Sequence, residues 1–128
     1  IIEIISDSYQ FVTSFIAEKI GADFSFGNEL QFEGDECTGE VLIPSLFHFS
    51  DNSLCRHQIC KTNAILHACN KYQTRLDQCT VIGDSLNDLC LLKNAGMGVA
   101  FGDDAAIREV ANKQIINGKF AELLNYAV

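Results

Sequence analysis

Apolar and polar positions follow two rhythms along this chain, and the rhythm changes several times. The sequence opens on Ile1-Ile2-Glu3-Ile4-Ile5, a β-branched run that stops at Ser6-Asp7-Ser8. Such a run predicts a buried strand feeding a helix. Over residues 7–20, Phe11, Val12, Phe15, Ile16 and Ile20 recur at helical spacing, and Gly21 stands where a left-handed cap would end the helix. Phe24 to Phe26 predicts a second short strand. Strand, helix and strand in that order form the unit of a parallel sheet.

The texture then changes. Residues 29–33 and 36–42 are two extended runs on either side of Gly34-Asp35, predicting a hairpin that projects from the sheet. Residues 43–53 show no period. A helix is expected from Asp51 or Ser53 to Lys71, with Leu54, Ile59, Ile65, Leu66 and Cys69 turned inward. Cys79-Thr80-Val81-Ile82 reads as a buried strand closed by Gly83-Asp84, followed by a helix over 86–95 that ends at Gly96. A strand over 98–101, a short helix over 104–111, a strand over 114–116 and a helix over 118–126 complete the pattern. No repeat or linker divides the sequence. Residues 1–128 are expected to form one α/β domain, a doubly wound parallel sheet flanked by helices.

Composition narrows the partners. A chain of 128 residues with 48% hydrophobic content can bury one core. Its net charge of -8 argues against a nucleic-acid partner. A small phosphorylated metabolite is compatible, because a bound cation and one lysine reverse the field locally. No run approaches the roughly 20 apolar residues of a membrane span, and no signal peptide with a basic flank and cleavage site is seen. Several of the 6 cysteines fall in apolar periodic segments, which predicts reduced thiols in a cytoplasmic protein. Because the first residues enter a strand with no initiator Met, a further upstream segment is expected.

Ligands of doubly wound sheets bind beyond the carboxyl ends of the strands. Gly83-Asp84-Ser85-Leu86-Asn87-Asp88 lies at such an end, with Asp84 at the strand tip and Asp88 one helical turn later. Two carboxylates facing one crevice suit Mg²⁺; the same residues also suit a helix cap with an acidic first turn. Ser6 precedes a helix whose free amides could hold an anion, or it is a helix cap itself. Lys61 is either the point charge that neutralises a phosphate and its metal or a solvated helical lysine. Cys55, His57 and Cys60, with His48 nearby, are soft ligands for Zn²⁺, but a fourth at regular spacing is missing. On a helix over 54–71, Cys55 would point away from His57 and Cys60, so these residues are read as structural. Phe11, Phe15, Phe24, Phe26 and Phe101 are read as core and His67 as helix surface.

In this order and context, the motifs resemble the haloacid dehalogenase-like superfamily, in its phosphoserine phosphatase-like branch. Ile4-Ile5-Ser6 looks like the second family motif, Lys61 the third, and Gly83-Asp84-Ser85-Leu86-Asn87-Asp88 the fourth. The segments 21–30, Thr38-Gly39-Glu40-Val41-Leu42 and 92–101 are similar as well. The resemblance implies a Rossmann-like core with a β-hairpin excursion and a Mg²⁺-dependent phosphatase acting through an aspartyl-phosphate. It implies that Ser6 and the Asp7 amide hold the phosphoryl group and that Lys61 stabilises its charge. Asp84 would bind the metal, Asp88 would act through a metal-bound water or by orienting Lys61, and Asn87 would touch phosphate or substrate.

The first family motif, Asp-x-Asp at the end of an N-terminal strand, is absent, as is the cap domain that follows it. Asp7-Ser8 also stands where many phosphoserine phosphatases carry two glycines. The chain alone is therefore expected to be inactive. In the family the missing strand lies between the strand ending at Ser6 and the strand ending at Asp84, so those strands are expected to pair directly or to be bridged by another segment or a second copy. Two rival readings stand beside the hydrolase core. One is a noncatalytic remnant serving as a binding or assembly module. The other, a response-regulator receiver, would need its acidic pair and phosphoacceptor ahead of the lysine.

Overall fold

In this computed structural model, which describes residues 1–126, the strand-helix-strand opening forms with shifted boundaries. Strand β1 covers Glu3–Tyr9, helix α1 Gln10–Ile20 and strand β2 Phe24–Glu33. Helix α1 ends as its sequence predicts. Gly21 takes φ 71°, and its turn returns N–H groups to the carbonyls of Ala17 and Glu18, a conformation that costs a side-chain-bearing residue but not glycine. Ser6 is no helix cap, because the strand runs three residues past it and Tyr9 precedes the helix.

The ladder explains the longer strand. Glu3 pairs in parallel with Phe24 and Ile5 with Phe26, but the next partner pair is Tyr9 with Asn28. Four steps along β1 therefore match two along β2. The excess residues form a bulge over Ser6-Asp7-Ser8, the kind of irregularity that re-aims side chains. The two expected strands at 24–26 and 29–33 are one continuous β2, which pairs antiparallel with strand β3, Glu36–Leu42, in the expected hairpin.

A 3-10 turn, Ser45–Phe47, precedes a segment that is neither helix nor strand through Cys60. Helix α2 covers only Lys61–Lys71, not the longer span its apolar residues predict. Ile65 and Cys69 are buried as expected, while Leu54 and Ile59 are exposed in the loop. The loop is held by backbone: the Phe49 N–H donates to Gln58 and the Cys60 N–H to Phe47, and the Asn63 amide donates to the carbonyls of Phe47 and His48. With its N–H and C=O groups used this way, the segment cannot also be helical.

The remaining elements are strand β4 (Thr80–Gly83), a 3-10 turn (Leu86–Asp88), helix α3 (Leu89–Asn94), strand β5 (Met97–Phe101), helix α4 (Ala105–Val110) and strand β6 (Lys113–Ile115). The expected closing helix is a 3-10 helix, Phe120–Asn125. Strands β4, β5 and β6 are parallel. Among the described residues no helix is long and apolar enough to cross a membrane.

Two three-stranded sheets result, β1-β2-β3 and β4-β5-β6, and β1 does not pair with β4. Of the two expected arrangements, direct pairing is thus not adopted. The core joins Ile65 and Cys69 of α2, Leu76, Val81, Leu91, Leu92, Ala100 and Ile107, with Ile5 of β1 packed against it. Helix α1 departs from expectation. Its buried residues are Thr13 and Ala17, while Phe11 and Phe15 are 58% and 60% exposed and Ile16 and Ile20 lie outside as well. The small residues meet the sheet because they allow close approach, leaving the apolar stripe outward. Phe24 and Phe26 are half-buried, and Phe24 stacks on Tyr72.

Candidate functional site

The carboxyl ends of β1 and β4 and the amino end of α2 meet at one place. Lys61 is the first residue of α2, and its ammonium donates to Asp88 Oδ1 at 2.8 Å and lies 3.6 Å from Asp7 Oδ2. Asn87 Nδ2 donates to the same Asp7 carboxylate at 2.9 Å. This last bond joins residues 80 positions apart and crosses between the two sheets. Asp7 is placed by its bulge, whose backbone is held where the Asn28 amide donates to the Asp7 carbonyl.

Asp88 is the centre of the arrangement. It is buried, at 6% exposure. Its Oδ2 accepts from the backbone N–H groups of Asp84 and Ser85 and from the Ser85 hydroxyl. Burial alone would raise its pKa, but Lys61 and the two backbone donors outweigh that and hold the carboxyl below its ordinary value. Burial would likewise lower Lys61; the hydrogen bond and charge of Asp88, then Asp7, leave it above its ordinary value. Both partners are therefore charged. The approach depends on Gly83, where an added Cβ would stand 2.5 Å from Asp88 Cβ.

Asp84, at the tip of β4, does not cap the turn: that role falls to Asp88 and Ser85. Its side chain is exposed, and among the described residues its carboxylate makes no hydrogen bond. Ser6 is half-buried in the bulge, and its hydroxyl accepts from the Ser8 N–H at 3.0 Å. Direct contacts thus gather Asp7, Lys61, Asn87 and Asp88, while Ser6 and Asp84 adjoin them in sequence. The anchoring role of Asn63 was not read from the sequence. Asn63 follows Thr62 near the start of α2, where polar residues are ordinary, so it gave no signal.

The soft-ligand residues adjoin this site in sequence, Cys60 before Lys61 and Cys90 two residues past Asp88. His57 and Cys60 do not share a helix face, because neither is helical; Cys55, His57 and Cys60 are instead gathered with Cys90 of α3. Cys90 gave no sequence signal beyond its type, since it lies 33 residues past His57. His48 is turned elsewhere, with Nε2 at 3.2 Å from the Ile43 carbonyl.

The strand tips of this α/β core thus gather a buried lysine-aspartate pair beside an exposed carboxylate. The sequence pattern of the haloacid dehalogenase-like hydrolases matches residues 38–118, and the chain belongs to that family. A phosphoserine phosphatase of Albidiferax ferrireducens is 31% identical over 94% of this chain and 48% of its own length. One of Methanocaldococcus jannaschii is 26% identical over 98% of this chain and 55% of its own. The chain thus spans about half the length of these curated relatives. A crystal structure of phosphoserine phosphatase in apo form superposes with a TM-score of 0.81, at 24% identity, covering 98% of this chain and 58% of that one. That likeness establishes the shared fold.

Proposed function

We propose that this chain is the lysine- and metal-bearing part of a phosphomonoester hydrolase that removes phosphate from a small metabolite, as the curated phosphoserine phosphatases do. The carrying observation is the Asp7 carboxylate, an anion held between the Lys61 ammonium and the Asn87 amide. A phosphoryl oxygen carries the same charge and accepts the same donors. In this reading Asp7 gives up those donors to the substrate, while Ser6 and the Asp7 amide take the phosphoryl group from the bulge side. Lys61 supplies positive charge where negative charge gathers in the transition state. Asp88 keeps Lys61 aimed, and Asn87 donates to phosphate or substrate.

The donor set fits Mg²⁺ at Asp84, whose exposed carboxylate offers a hard oxygen to an ion that keeps most of its waters. Both Asp88 oxygens are engaged by Lys61, Asp84, Ser85 and its hydroxyl. That occupancy favours Asp88 as the orienting group rather than a direct ligand. The ion, when bound, would polarise a phosphoryl oxygen and offset its charge. The aspartate nucleophile and the general acid of an aspartyl-phosphate route come from a segment outside this sequence. That segment, or a second copy of the chain, would pair with β1 and β4, which are edge strands of their sheets. The free thiols fit a reducing, cytoplasmic setting.

Phosphate release from a panel of small phosphomonoesters, with and without Mg²⁺, tests the reading. The longer protein containing this chain is expected to turn over, with Lys61→Met and Asp84→Asn each lowering the rate by about 10²-fold or more. Residues 1–128 alone are expected to be inactive. Robust turnover by residues 1–128, abolished by Asp84→Asn, would overturn the outside nucleophile. A longer protein with no metal-dependent release would favour a noncatalytic module.

A further inference from the structure

We propose that Cys55, His57, Cys60 and Cys90 hold a structural Zn²⁺ ion that fastens the loop before α2 to helix α3. Their ligand atoms, three thiol sulfurs and one imidazole nitrogen, all lie within 4.8 Å of one another. His57 Nδ1 is 3.3 Å from Cys55 Sγ and 3.3 Å from Cys90 Sγ. Tetrahedral zinc with bonds of about 2.3 Å to sulfur sets its ligand atoms roughly 3.5–3.8 Å apart. The four donors are therefore close enough together for small side-chain rotations to reach zinc geometry. Three cysteines and one histidine form a complete ligand set, with no position left for water or substrate, which is the pattern of structural rather than catalytic zinc.

The surroundings fit that role. Cys60 is buried and Cys55 and Cys90 are half-buried, while His57 is exposed at the rim. The loop that brings three of the ligands has no helix or strand between residues 49 and 58, and its apolar residues Phe49, Leu54 and Ile59 are exposed. Those side chains give it no buried apolar anchor, and a metal would tie it to α3 through three ligands of its own. Burial and then the neighbouring Cys60 and Cys55 push the Cys90 thiol up to about 11, whereas a dication at the centre favours deprotonation of all three thiols.

Soft sulfur and imidazole donors select a different ion from the oxygen donors at Asp84, so the two sites would not compete for one metal. Their positions couple them mechanically. Cys60 immediately precedes Lys61, and Cys90 lies two residues past Asp88. The zinc would thereby hold the two chain segments that carry the 2.8 Å Lys61–Asp88 pair. A disulfide is the other chemistry open to such thiols, but one bond would leave the third sulfur and the imidazole unused, and all six cysteines are free.

The experiment is metal analysis of the protein purified under reducing conditions, with Co²⁺ substitution as the spectroscopic probe. About one zinc per chain is expected, and the Co²⁺ form should show thiolate charge-transfer and intense tetrahedral visible bands. Cys55→Ser and Cys90→Ser should each lose the ion, while Cys37→Ser, in exposed β3, should keep it. Chelation of the wild type should expose three additional thiols to titration, a readout that survives if one variant fails to fold. Metal content unchanged in Cys55→Ser and Cys90→Ser, octahedral Co²⁺ spectra without charge transfer, or metal-free protein joined by a disulfide among these cysteines would each overturn the assignment.

Discussion

The two halves of this molecule treat similar apolar patterns differently. Around β4, β5 and β6, helices α3 and α4 pack on the sheet and α2 packs against α3, and Leu92, Val99, Ala100 and Ile107 are at most 1% exposed. Around β1, β2 and β3, the hairpin lies open, every residue of β3 is exposed, and the apolar stripe of α1 faces away from the sheet. What joins the halves is partly apolar, through Ile5, and at the strand tips polar, through Asp7, Lys61 and Asn87. The difference teaches that apolar periodicity encodes a face to be covered without saying what covers it. In the second half the cover lies within these residues; in the first half, small residues take the sheet contact and the large ones stay outside.

The polar junction is the place to break this arrangement most severely. Asp88→Ala leaves the Lys61 ammonium, 12% exposed, and two backbone N–H groups without their acceptor. It is expected to destabilise by about 3–5 kcal/mol, read from urea unfolding. Restoration by a second change, Lys61→Met, would identify the unpaired charge as the cause. A loss below about 1 kcal/mol in Asp88→Ala would show that the pair does not hold the junction.

Leu92→Ala should cost about 3 kcal/mol, since it empties space in the closed half. Phe15→Ala should cost under about 0.5 kcal/mol, because its ring is exposed. Equal losses would erase the contrast between the halves. A stabilised protein on adding a partner or upstream segment, with Phe15→Ala becoming costly only then, would sharpen it.

Glu3 gives a pH-dependent handle on the open half. Burial raises its carboxyl to about 7, and Oε1 is buried without a hydrogen-bond partner. Its folded pKa lies above the unfolded value, so the native state favours the protonated form. That stability is complete below about pH 4 and is lost as pH rises through 7. Relative to wild type, Glu3→Gln should gain stability from pH 4 to pH 8, on the order of 1 kcal/mol after allowance for partial exposure. Melting curves at the two pH values measure it; a constant difference would refute the burial account. The same burial makes this mid-strand carboxyl only partly charged near neutrality.

Much of this was legible in the chain. The strand and helix order, the hairpin around Gly34-Asp35, the αL cap at Gly21 and the grouping of Lys61 with Asp88 all follow from local spacing or motif context. Local rules failed where a competing partner was remote. The helix expected from Asp51 starts only at Lys61 because its preceding backbone is spent on Phe47 and Phe49. Ser6 sits in a bulge because β2 supplies fewer positions than β1 uses.

Sequence alone therefore determined the order of strands and helices, and which residue types stand at the strand tips, since those properties depend on neighbours a few positions apart. Tertiary structure decided that Asp88 rather than Asp84 caps the turn, that α1 turns its phenylalanines outward, and that Cys90 joins Cys55, His57 and Cys60. The last two are set by contacts between distant segments, and the choice of Asp88 by a turn whose other side, Lys61, is 27 residues away. No periodicity records such contacts, because they exist only once the chain has closed on itself.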